Sequence, residues 1–425
     1  MKNRISLSDY IMAVVFVFAS LSLLSYIGGM LQSDVLNPIE KAFGDFELTD
    51  VVFSHLRERP GADTNIVLVN IGDLDRAGIA EEIEIINQYK PKVIGIDAFF
   101  RNPKGRNQEG IDVDSALAAA FSKVENLVLV SKVNQYNEQT GKHDTLEISN
   151  PMFTRYAMSG MSNMISEGYD VFKTSRTFST QEKVKDTTEI AFAVKLAGIY
   201  NPKAMEKFMA RGKETEIINF QGNFDPKVNE KAANARNVFT ALDINDVFNE
   251  NFNPDVIKGK IILMGYMGPS WDKITWEDKF FTPLNKIYIG KTNPDMYGVV
   301  VHANIISMIL RGSFIDEMPV NIDYWLNIVL ILINIYFFYW LLLNTGIWWD
   351  GISMLVTLAQ VLVLIGIVVY VFNGYNYKFD ITYSLVALFL IANLLEIYYN
   401  IIKPLYRRIK KRYLYLQRLK TSKAL

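Results

Sequence analysis

Four long apolar segments dominate the hydrophobic pattern of this sequence. One lies at residues 10–31, and three others crowd into the C-terminal quarter, at residues 324–345, 351–373 and 379–402. Each is long enough to cross a hydrocarbon core of about 30 Å as a helix that rises about 1.5 Å per residue. The sequence therefore predicts four transmembrane helices, with a soluble-looking domain at residues 32–322 between the first and the second.

Basic residues near the two ends predict how the chain crosses the membrane. The stub at residues 1–9 holds Lys2 and Arg4, and the tail at residues 403–425 holds nine lysines and arginines and no acidic residue. Short segments rich in Lys and Arg stay on the cytoplasmic side. Both ends are therefore expected in the cytoplasm, which requires an even number of spans and places residues 32–322 outside the cytoplasm.

A cleaved signal peptide is the alternative reading of residues 10–31. The apolar region of a signal peptide usually runs for about 7–15 residues and ends at a small-residue site such as Ala-x-Ala. This segment is longer, and no such site follows it. An uncleaved signal anchor is therefore the favoured interpretation.

Composition narrows the possible classes of function. The formal net charge is -1, so no global basic field points to nucleic acid. The sequence has no cysteine, which excludes a disulfide framework and Cys-based metal sites, and its three histidines argue against a His-rich metal site. The patterns H-E-x-x-H, G-x-S-x-G and the Walker loop are all absent from the sequence. We therefore expect no metal, no cofactor and no enzymatic activity.

The first half of the domain alternates between apolar strands and amphipathic helices. Asn65–Ile71, Lys92–Ala98 and Leu127–Lys132 are short runs rich in Val, Ile and Leu, as buried parallel strands require. Between them, Ala80–Tyr89 and Asp112–Lys123 have the periodicity and the polar first residues of helices. This pattern predicts an α/β fold with a right-handed βαβαβ core and a mainly parallel sheet.

Shorter elements are predicted for the rest of the domain. No Pro- or Ser-rich linker divides it, so one domain with insertions is the simpler interpretation. The predicted elements are a hairpin at residues 136–148, helices at Thr187–Tyr200, Asp243–Asn249 and Gly298–Leu310, and strands at Glu214–Phe220 and Lys260–Gly265.

Six short motifs, taken in order along the chain, resemble one family. They are Asp50-x-x-Phe53-x-x-Leu56-Arg57, IVLVNIGDLD, KPKVIGIDAFF, IINFQGN, GKIILMGYMG and YGVVVHANIISMIL. Together with the three apolar segments that follow, they resemble the type-two CHASE domain, an extracellular sensory module of bacterial cyclases, histidine kinases and serine/threonine kinases. The resemblance implies a sensor in the bacterial inner (cytoplasmic) membrane, with a periplasmic domain that binds a signal.

Two features depart from the family pattern. Residues 72–86 stand where members carry a Trp-Pro-Trp-Arg-like segment, and they contain neither Trp nor Pro. Family members normally continue into a cytoplasmic catalytic domain, whereas 23 residues follow Ile402 here. We therefore expect signal transduction through a separate protein partner in or at the membrane. The alternative is a non-catalytic structural or accessory subunit of a multi-protein cell-envelope complex.

Polar residues follow the predicted strands at the edge where open α/β sheets bind ligands, beyond the carboxyl ends of the strands. Asp73 and Asp97 are expected to approach each other there and to hold a cation or a polar small molecule. The alternative is that the carboxylates cap helices and that the histidine is structural. The candidate ligand-binding residues are Asp73, Asp75, Asp97, Phe99, Arg101, Asp272 and His302.

An aromatic loop and the basic tail are the candidate surfaces for partners. Residues 271–281 combine aromatic and charged side chains, which suits a protein–protein patch or a lid, although a loop folded back on the sheet has the same composition. The tail carries leucines and tyrosines at helical spacing, which predicts a helix that continues the last span and binds either anionic lipid or a cytoplasmic partner. The candidate contact residues are Trp271, Trp276, Phe280, Arg407, Arg408, Lys410, Lys411 and Arg412.

A few polar residues interrupt the predicted spans. Polar groups inside a bilayer usually face other helices, so these residues are predicted to join neighbouring spans. Glu396 is expected to reach the membrane surface or to pair with Lys403 or Arg407. The other polar residues of this set are Asn334, Gln360 and Asn393.

Overall fold

The chain divides into two compact units. The sheet unit is Asp45–Ile315, and the helical unit comprises Met1–Gly44 together with Asp316–Leu425. The computed structural model describes residues 5–30, 47–57, 61–163, 174–224, 238–271, 273, 275–285 and 293–422.

Short strands contribute to both units. In chain order they are β1 (Asp63–Asn70), β2 (Val93–Asp97), β3 (Leu127–Asn137), β4 (Lys142–Glu147), β5 (Met158–Met161), β6 (Thr177–Ser179), β7 (Gln181–Val184), β8 (Thr187–Ile190), β9 (Thr215–Ile217), β10 (Phe239–Leu242), β11 (Ile261–Gly265), β12 (Lys279–Phe280), β13 (Met296–Tyr297), β14 (Asp316–Glu317) and β15 (Tyr377–Lys378).

Helices of the sheet unit are short, and those of the helical unit are long. In chain order the helices are α1 (Leu7–Met30), α2 (Leu48–Val51), α3 (Arg76–Gln88), α4 (Val113–Ser122), α5 (Pro151–Thr154), α6 (Phe192–Tyr200), α7 (Pro202–Met209), α8 (Ile244–Phe248), α9 (Gly298–Arg311), α10 (Val320–Thr345), α11 (Trp349–Tyr375), α12 (Thr382–Ile397) and α13 (Lys403–Ser422).

The largest sheet has the strand order β10-β1-β11-β2-β3-β4-β7-β8, and β5 also pairs with β3. The pairs that join β10, β1, β11, β2, β3 and β5 are all parallel. The late strand β11 lies between β1 and β2, so the carboxyl ends of three strands meet at the centre of one edge. The predicted α/β fold with a mainly parallel sheet is therefore confirmed.

Helices cover both faces of this sheet. On one face, Ile83 of α3, Phe121 of α4 and Val247 of α8 pack in one buried cluster with strand residues such as Val69 and Ile96. Burying a side chain of this size stabilises the fold by about 1.5–3 kcal/mol. These helices and strands together form the principal hydrophobic core of the sheet unit.

Glycine in β2 lets α6 approach the opposite face closely. A Cβ atom at Gly95 would lie 2.6 Å from Cδ1 of Leu196 and 2.8 Å from Cζ of Phe192. Helix α9 also packs on this face, and a Cβ atom at Gly265 would lie 2.8 Å from Cβ of Val299. The sheet therefore lies between two helical layers, and the predicted helix at Gly298–Leu310 is confirmed as α9.

Two predictions for the middle of the domain are only partly correct. The helix predicted at Thr187–Tyr200 begins at Phe192, because Thr187–Ile190 forms strand β8 against β7. The buried Glu189 of β8 accepts a hydrogen bond from Ser131 at 2.8 Å, a long-range contact that the local pattern does not reveal. The strand predicted at Glu214–Phe220 is reduced to β9, which pairs with β6 and does not join the large sheet.

Three segments of the helical unit are long and apolar enough to cross a membrane. They are Leu7–Ile27, Val320–Tyr375 and Thr382–Gln417. The second is a 56-residue segment in which α10 and α11 are joined by the 3₁₀ turn Gly346–Trp348. In the third, the π-turn Tyr398–Ile402 joins α12 to α13 without a break.

A two-residue ladder brings the ends of α10 and α11 together. Strand β14, which precedes α10, pairs in parallel with β15, which follows α11. Because the two helices are joined at their other ends by the turn at Gly346–Trp348, they form an antiparallel hairpin. The start of α10 is also tied to the start of α12, since Ser384 donates a 2.6 Å hydrogen bond to Oδ1 of Asn327.

The polar contacts between these helices differ from the predicted ones. Asn334 donates to the carbonyl of Leu330 in its own helix, so it does not join two helices in the way we predicted. The ammonium of Lys403 pairs with Asp9 of α1 at 2.9 Å and not with Glu396, so the pairing with Lys403, one of the contacts predicted for Glu396, is not found among the described residues. Asn327, which the span pattern did not single out, also links two helices: it donates to the carbonyl of Asp380 and accepts from Ser384.

Candidate functional site

The buried side chain of Asn70 organises the edge of the sheet where β1 ends. Its Nδ2 donates to Oδ1 of Asp243 at 2.8 Å and to the carbonyl of Gly268 at 3.0 Å. Its Oδ1 accepts from the backbone N–H of Met267 at 2.8 Å. Asn70 therefore holds together the loops that follow β1, β10 and β11. Sequence analysis missed it, although a polar residue at the end of a buried strand was the available signal.

Asp97 and His302 lie side by side at the end of β2. Nε2 of His302 is 3.9 Å from Oδ2 of Asp97, which is too long for a hydrogen bond. His302 is 4% exposed, and among the described residues its Nδ1 has no hydrogen-bond partner. Burial lowers the pKa of His302 to about 3 and raises the pKa of Asp97 to about 6. At neutral pH the pair is therefore a carboxylate beside a neutral imidazole.

A second carboxylate, Asp278, lies close to this pair. Asp278 has a positive φ of 55°, and its carbonyl accepts from the backbone N–H of Gly298 at 3.0 Å. A Cβ atom at Gly298 would lie 3.3 Å from Oδ2 of Asp278, so the carboxylate sits against the first turn of α9. Asp278 as a residue is exposed to solvent, but desolvation of its carboxyl group against α9, followed by the charges of Asp97 and Glu277, raises its pKa to about 7.

These three side chains form what we call the α9 cluster: Asp97, Asp278 and His302. They converge because Gly298 and His302 are one helical turn apart on α9, while Asp97 ends the neighbouring strand β2. Among the described residues, no Lys or Arg pairs with either carboxylate. The cluster thus offers two carboxylates and an imidazole acceptor to a donor that carries positive charge. Sequence analysis named Asp97 and His302, but it missed Asp278.

Asp73 and Asp75 lie in the turn after β1 and have different environments. Asp75 caps α3, accepting from the N–H of Gly78 at 2.9 Å and from Asn107 at 3.0 Å, and these hydrogen bonds lower its pKa. Asp73 is exposed, and its charge contributes, after burial and Glu277, to a raised pKa of Tyr266. Asp75 therefore has the capping arrangement that was the alternative interpretation of the strand-end carboxylates.

Arg101 contacts Phe99 and strand β4 of the hairpin that β3 and β4 form. The guanidinium of Arg101 lies 4.2 Å from the ring centroid of Phe99 and forms an ion pair with Glu147 of β4. Asp272, the remaining candidate ligand residue, lies outside the described residues. The structure thus brings Asp97 and His302 together out of the candidate ligand-binding set.

Residues of the aromatic loop have three different environments. The backbone N–H of Trp271 donates to Oδ2 of Asp243 at 3.3 Å, and the centroid of its ring lies 5.2 Å from that of Phe224. Phe280 belongs to β12, whose partner β13 directly precedes α9. Trp276 remains 51% exposed, with Nζ of Lys279 at 5.4 Å from its ring. The loop therefore folds back on the sheet unit at two of its three candidate residues.

The basic residues of the tail lie on a helix that continues the last apolar segment. Helix α13 follows α12 through the π-turn, as the periodicity of leucines and tyrosines predicts. The side chains of the basic residues are exposed to solvent in the helical unit. The residues concerned are Arg407, Arg408, Lys410, Lys411 and Arg412.

The described parts of both units also bear on metal binding. Within them, no group of three or more His, Cys, Asp or Glu side chains is placed to hold a metal ion. The α9 cluster is therefore better suited to a ligand that donates hydrogen bonds than to a bare transition-metal ion.

Comparison with known proteins identifies the family. No curated protein and no solved structure matches the chain. A family model described as the CHASE2 domain matches residues 16–345, which is more than half of the sequence. This match agrees with the mostly parallel sheet, the strand-end motifs and the apolar helices that precede and follow the sheet unit in the sequence. The chain therefore belongs to the CHASE2 family of sensory domains.

Proposed function

We propose that this protein is a non-catalytic membrane sensor. Its sheet unit lies outside the cytoplasm and binds a small cationic ligand at the α9 cluster, and the signal passes to a separate protein through α13. Membership of a sensory-domain family supports the general role. The observation that carries the binding proposal is the pairing of the buried His302 with the half-buried Asp97 at the carboxyl ends of the strands, where Nδ1 of His302 has no hydrogen-bond partner among the described residues.

This arrangement requires four membrane spans, and the lengths and pairing of the apolar helices support that number. The segment Val320–Tyr375 has 56 residues, which as one straight helix is about 84 Å long and far exceeds a hydrocarbon core of about 30 Å. The β14–β15 ladder returns the end of α11 to the start of α10, as two antiparallel spans require. With α1 and α12, the count is even, and the basic residues at both ends favour a cytoplasmic location for both termini.

Topology is tested with two reporters in the full chain. A reporter fused after Leu425 is expected on the cytoplasmic side, and one inserted beside Lys142 in the β3–β4 hairpin is expected outside. If both reporters are found on the same side of the membrane, the four-span proposal is wrong.

Ligand binding is tested by thermal unfolding of the full chain in detergent. The probes are methylammonium and spermidine, cations that donate hydrogen bonds, with acetate as the anionic control. At least one cation is expected to raise the melting temperature of the wild type, and Asp97→Asn is expected to remove that rise because it removes the negative charge of the cluster. Asp144→Asn, at an exposed position of β4, is the matched control and should keep the rise.

Two results would contradict the binding proposal. If no cation raises the melting temperature, the ligand class is wrong. If Asp97→Asn responds like the wild type, the site is wrong. A stoichiometric envelope complex that needs the sheet unit but is unaffected by Asp97→Asn would favour the structural-subunit alternative instead.

A further inference from the structure

An apolar line along α13 is exposed in the helical unit. Leu405 is 51% exposed, Ile409 is 59% exposed and Leu416 is 49% exposed. Together with Arg412 they follow one another at spacings of four, three and four residues, the repeat of a coiled-coil seam. We call Leu405, Ile409, Arg412 and Leu416 the α13 seam. A helix that shows such a seam to solvent has the pattern of one strand of a helix pair.

Basic side chains occupy the other faces of the same helix, together with the exposed side chains of Tyr406, Tyr413, Leu414 and Tyr415. Arg407, Lys410 and Lys411 lie off the seam, whereas Arg408 flanks it and Arg412 belongs to it. No acidic residue occurs between Lys403 and the end of the sequence, so α13 supplies none of the charge that would neutralise these residues. A surface that pairs with the seam must therefore bring apolar side chains and negative charge together.

The continuity of α12 and α13 disfavours a lipid surface as the occupant. Residues Thr382–Gln417 form one helix of 36 residues, about 54 Å long, so its C-terminal part extends beyond a hydrocarbon core of about 30 Å. The seam itself covers about 17 Å along this axis. With the helix axis along the bilayer normal, a flat layer of anionic headgroups does not cover Leu405 and Leu416 together.

Charge also disfavours a second copy of this chain. In a parallel, in-register pair, the two Arg412 side chains would face each other at the seam, and like charges at such a position are destabilising. An acidic helix has the opposite property, because Glu or Asp side chains beside its own apolar seam would meet Arg408, and one that faces the seam would meet Arg412. Charged flanks of this kind set partner choice in helix pairs.

We infer that the α13 seam binds an amphipathic helix of a different protein, one whose apolar stripe is flanked by acidic residues. This inference rests on the proposed function, since it names the kind of partner through which the sensor acts. Contacts at the first residue of α13 connect the seam to the helices α1 and α10. Lys403, the first residue of α13, is fixed to Asp9 of α1 and to Tyr339 of α10, each at 2.9 Å.

The test is photo-crosslinking of the full chain in its own membrane. A photoreactive residue replaces Ile409 on the seam, Leu414 off the seam or Lys411 on the basic face. Leu414 is the matched control because it is also apolar and is 45% exposed. The expected result is an adduct from position 409 but not from 414, whose captured peptide belongs to another protein and is an acidic helix with an apolar stripe.

Charge variants then test the chemistry of the contact. Arg412→Glu should lower the yield of the 409 adduct at least several-fold, and high salt should lower it as well, because the flanking ion pairs are exposed to screening. The lost adduct should return when an acidic residue of the captured helix is changed to Lys.

Other outcomes would overturn the inference. Capture of the same chain, capture of lipid, or no adduct at position 409 each contradicts a heterologous acidic helix. An adduct from Lys411 without one from Ile409 would also reject the seam, while leaving the proposed action through a separate protein intact. If none of the three positions captures a protein, both the seam and the transmission of the signal through α13 are wrong.

Discussion

The ammonium of Lys403 lies 2.9 Å from Oδ2 of Asp9, although 394 residues separate them in the sequence. The same ammonium lies 2.9 Å from the hydroxyl of Tyr339, and the hydroxyl of Tyr398 donates to the carbonyl of Asp9 at 3.2 Å. Lys403 is 8% exposed. One buried charge therefore joins the start of α1, the end of α10 and the start of α13.

Removing one member of this ion pair should destabilise the helical unit more than removing both. Lys403→Met leaves the half-buried carboxylate of Asp9 without this partner, and the cost should lie below the value of about 3–5 kcal/mol that is typical of a fully buried pair. Lys403→Met combined with Asp9→Leu should recover much of that loss. The measurement is the unfolding free energy of the full chain in detergent, with the exposed Lys410→Met as the control. Additive losses in the double variant would contradict the pairing.

The buried carboxyl group of Glu82 should make the protein less stable as the pH rises. It is fully buried in α3, neither of its carboxyl oxygens has a hydrogen-bond partner among the described residues, and burial followed by the charge of Asp243 raises its pKa from 4.5 to about 8. The folded state thus binds this proton more tightly than the unfolded state. Its contribution to stability is complete below about pH 4.5 and is lost as the pH rises through about 8.

Glu82→Gln should remove most of this pH dependence. Each unit of pKa shift corresponds to about 1.4 kcal/mol, so the variant should be more stable than the wild type by a few kcal/mol at about pH 9 and similar to it at about pH 5. Unfolding free energies at the two pH values provide the measurement. Glu81→Gln, at an exposed position of the same helix, should leave the dependence unchanged. A wild-type slope in Glu82→Gln would show that another group titrates.

Asn70→Ala should destabilise the strand-end loops. The substitution removes the hydrogen bonds to Asp243, Gly268 and Met267, and each buried polar group left without a partner costs about 1–3 kcal/mol. We expect a total loss of about 2–4 kcal/mol, measured by chemical unfolding of the full chain. Asn87→Ala removes one exposed side-chain hydrogen bond and serves as the control. A loss in Asn70→Ala no larger than in the control would contradict the organising role of Asn70.

Gly298→Ala should disturb the α9 cluster through a single methyl group. That Cβ atom would lie 3.2 Å from Cε2 of Phe280 and 3.3 Å from Oδ2 of Asp278. Overpacking of this kind costs about 1–3 kcal/mol and should also reduce the cation-dependent rise in melting temperature. Gly366→Ala is the control, because no atom lies within 4 Å of its added Cβ. Unchanged stability and unchanged cation response would mean that Asp278 and Phe280 move aside freely.

The α/β core was predictable because its signals are local. Runs such as Lys92–Ala98 and Lys260–Gly265 combine Val and Ile with flanking turn residues, and both become strands of the sheet. The short helix at Asp243–Asn249 follows from its capping residue, and it is confirmed as α8 with a capping box at Asp243. By contrast, the order of strands was not predictable, because β11 enters between β1 and β2 from far along the chain.

The α9 cluster was predictable only in part, for the same reason. Asp97 follows a recognisable strand and His302 interrupts an apolar helix, so each has a local signal. Asp278 reaches the pair only through the backbone turn with positive φ before β12, and nothing near it in the sequence indicates this contact. The partner of Lys403 was missed likewise, since Asp9 is distant in sequence while Glu396, the partner we predicted, is near.

The π-turn at Tyr398–Ile402 sets the direction, about the helix axis, in which the side chains of α13 point. A π-turn contains one residue more than an α-helical turn, and one residue corresponds to a rotation of about 100° about the helix axis. The direction in which Leu405, Ile409 and Leu416 point is therefore fixed by whether these five residues are wound as π or as α. If this one turn changed from π to α, the same side chains would face a different neighbour while the helix stayed continuous. The turn can therefore set which face of the tail is presented relative to the spans.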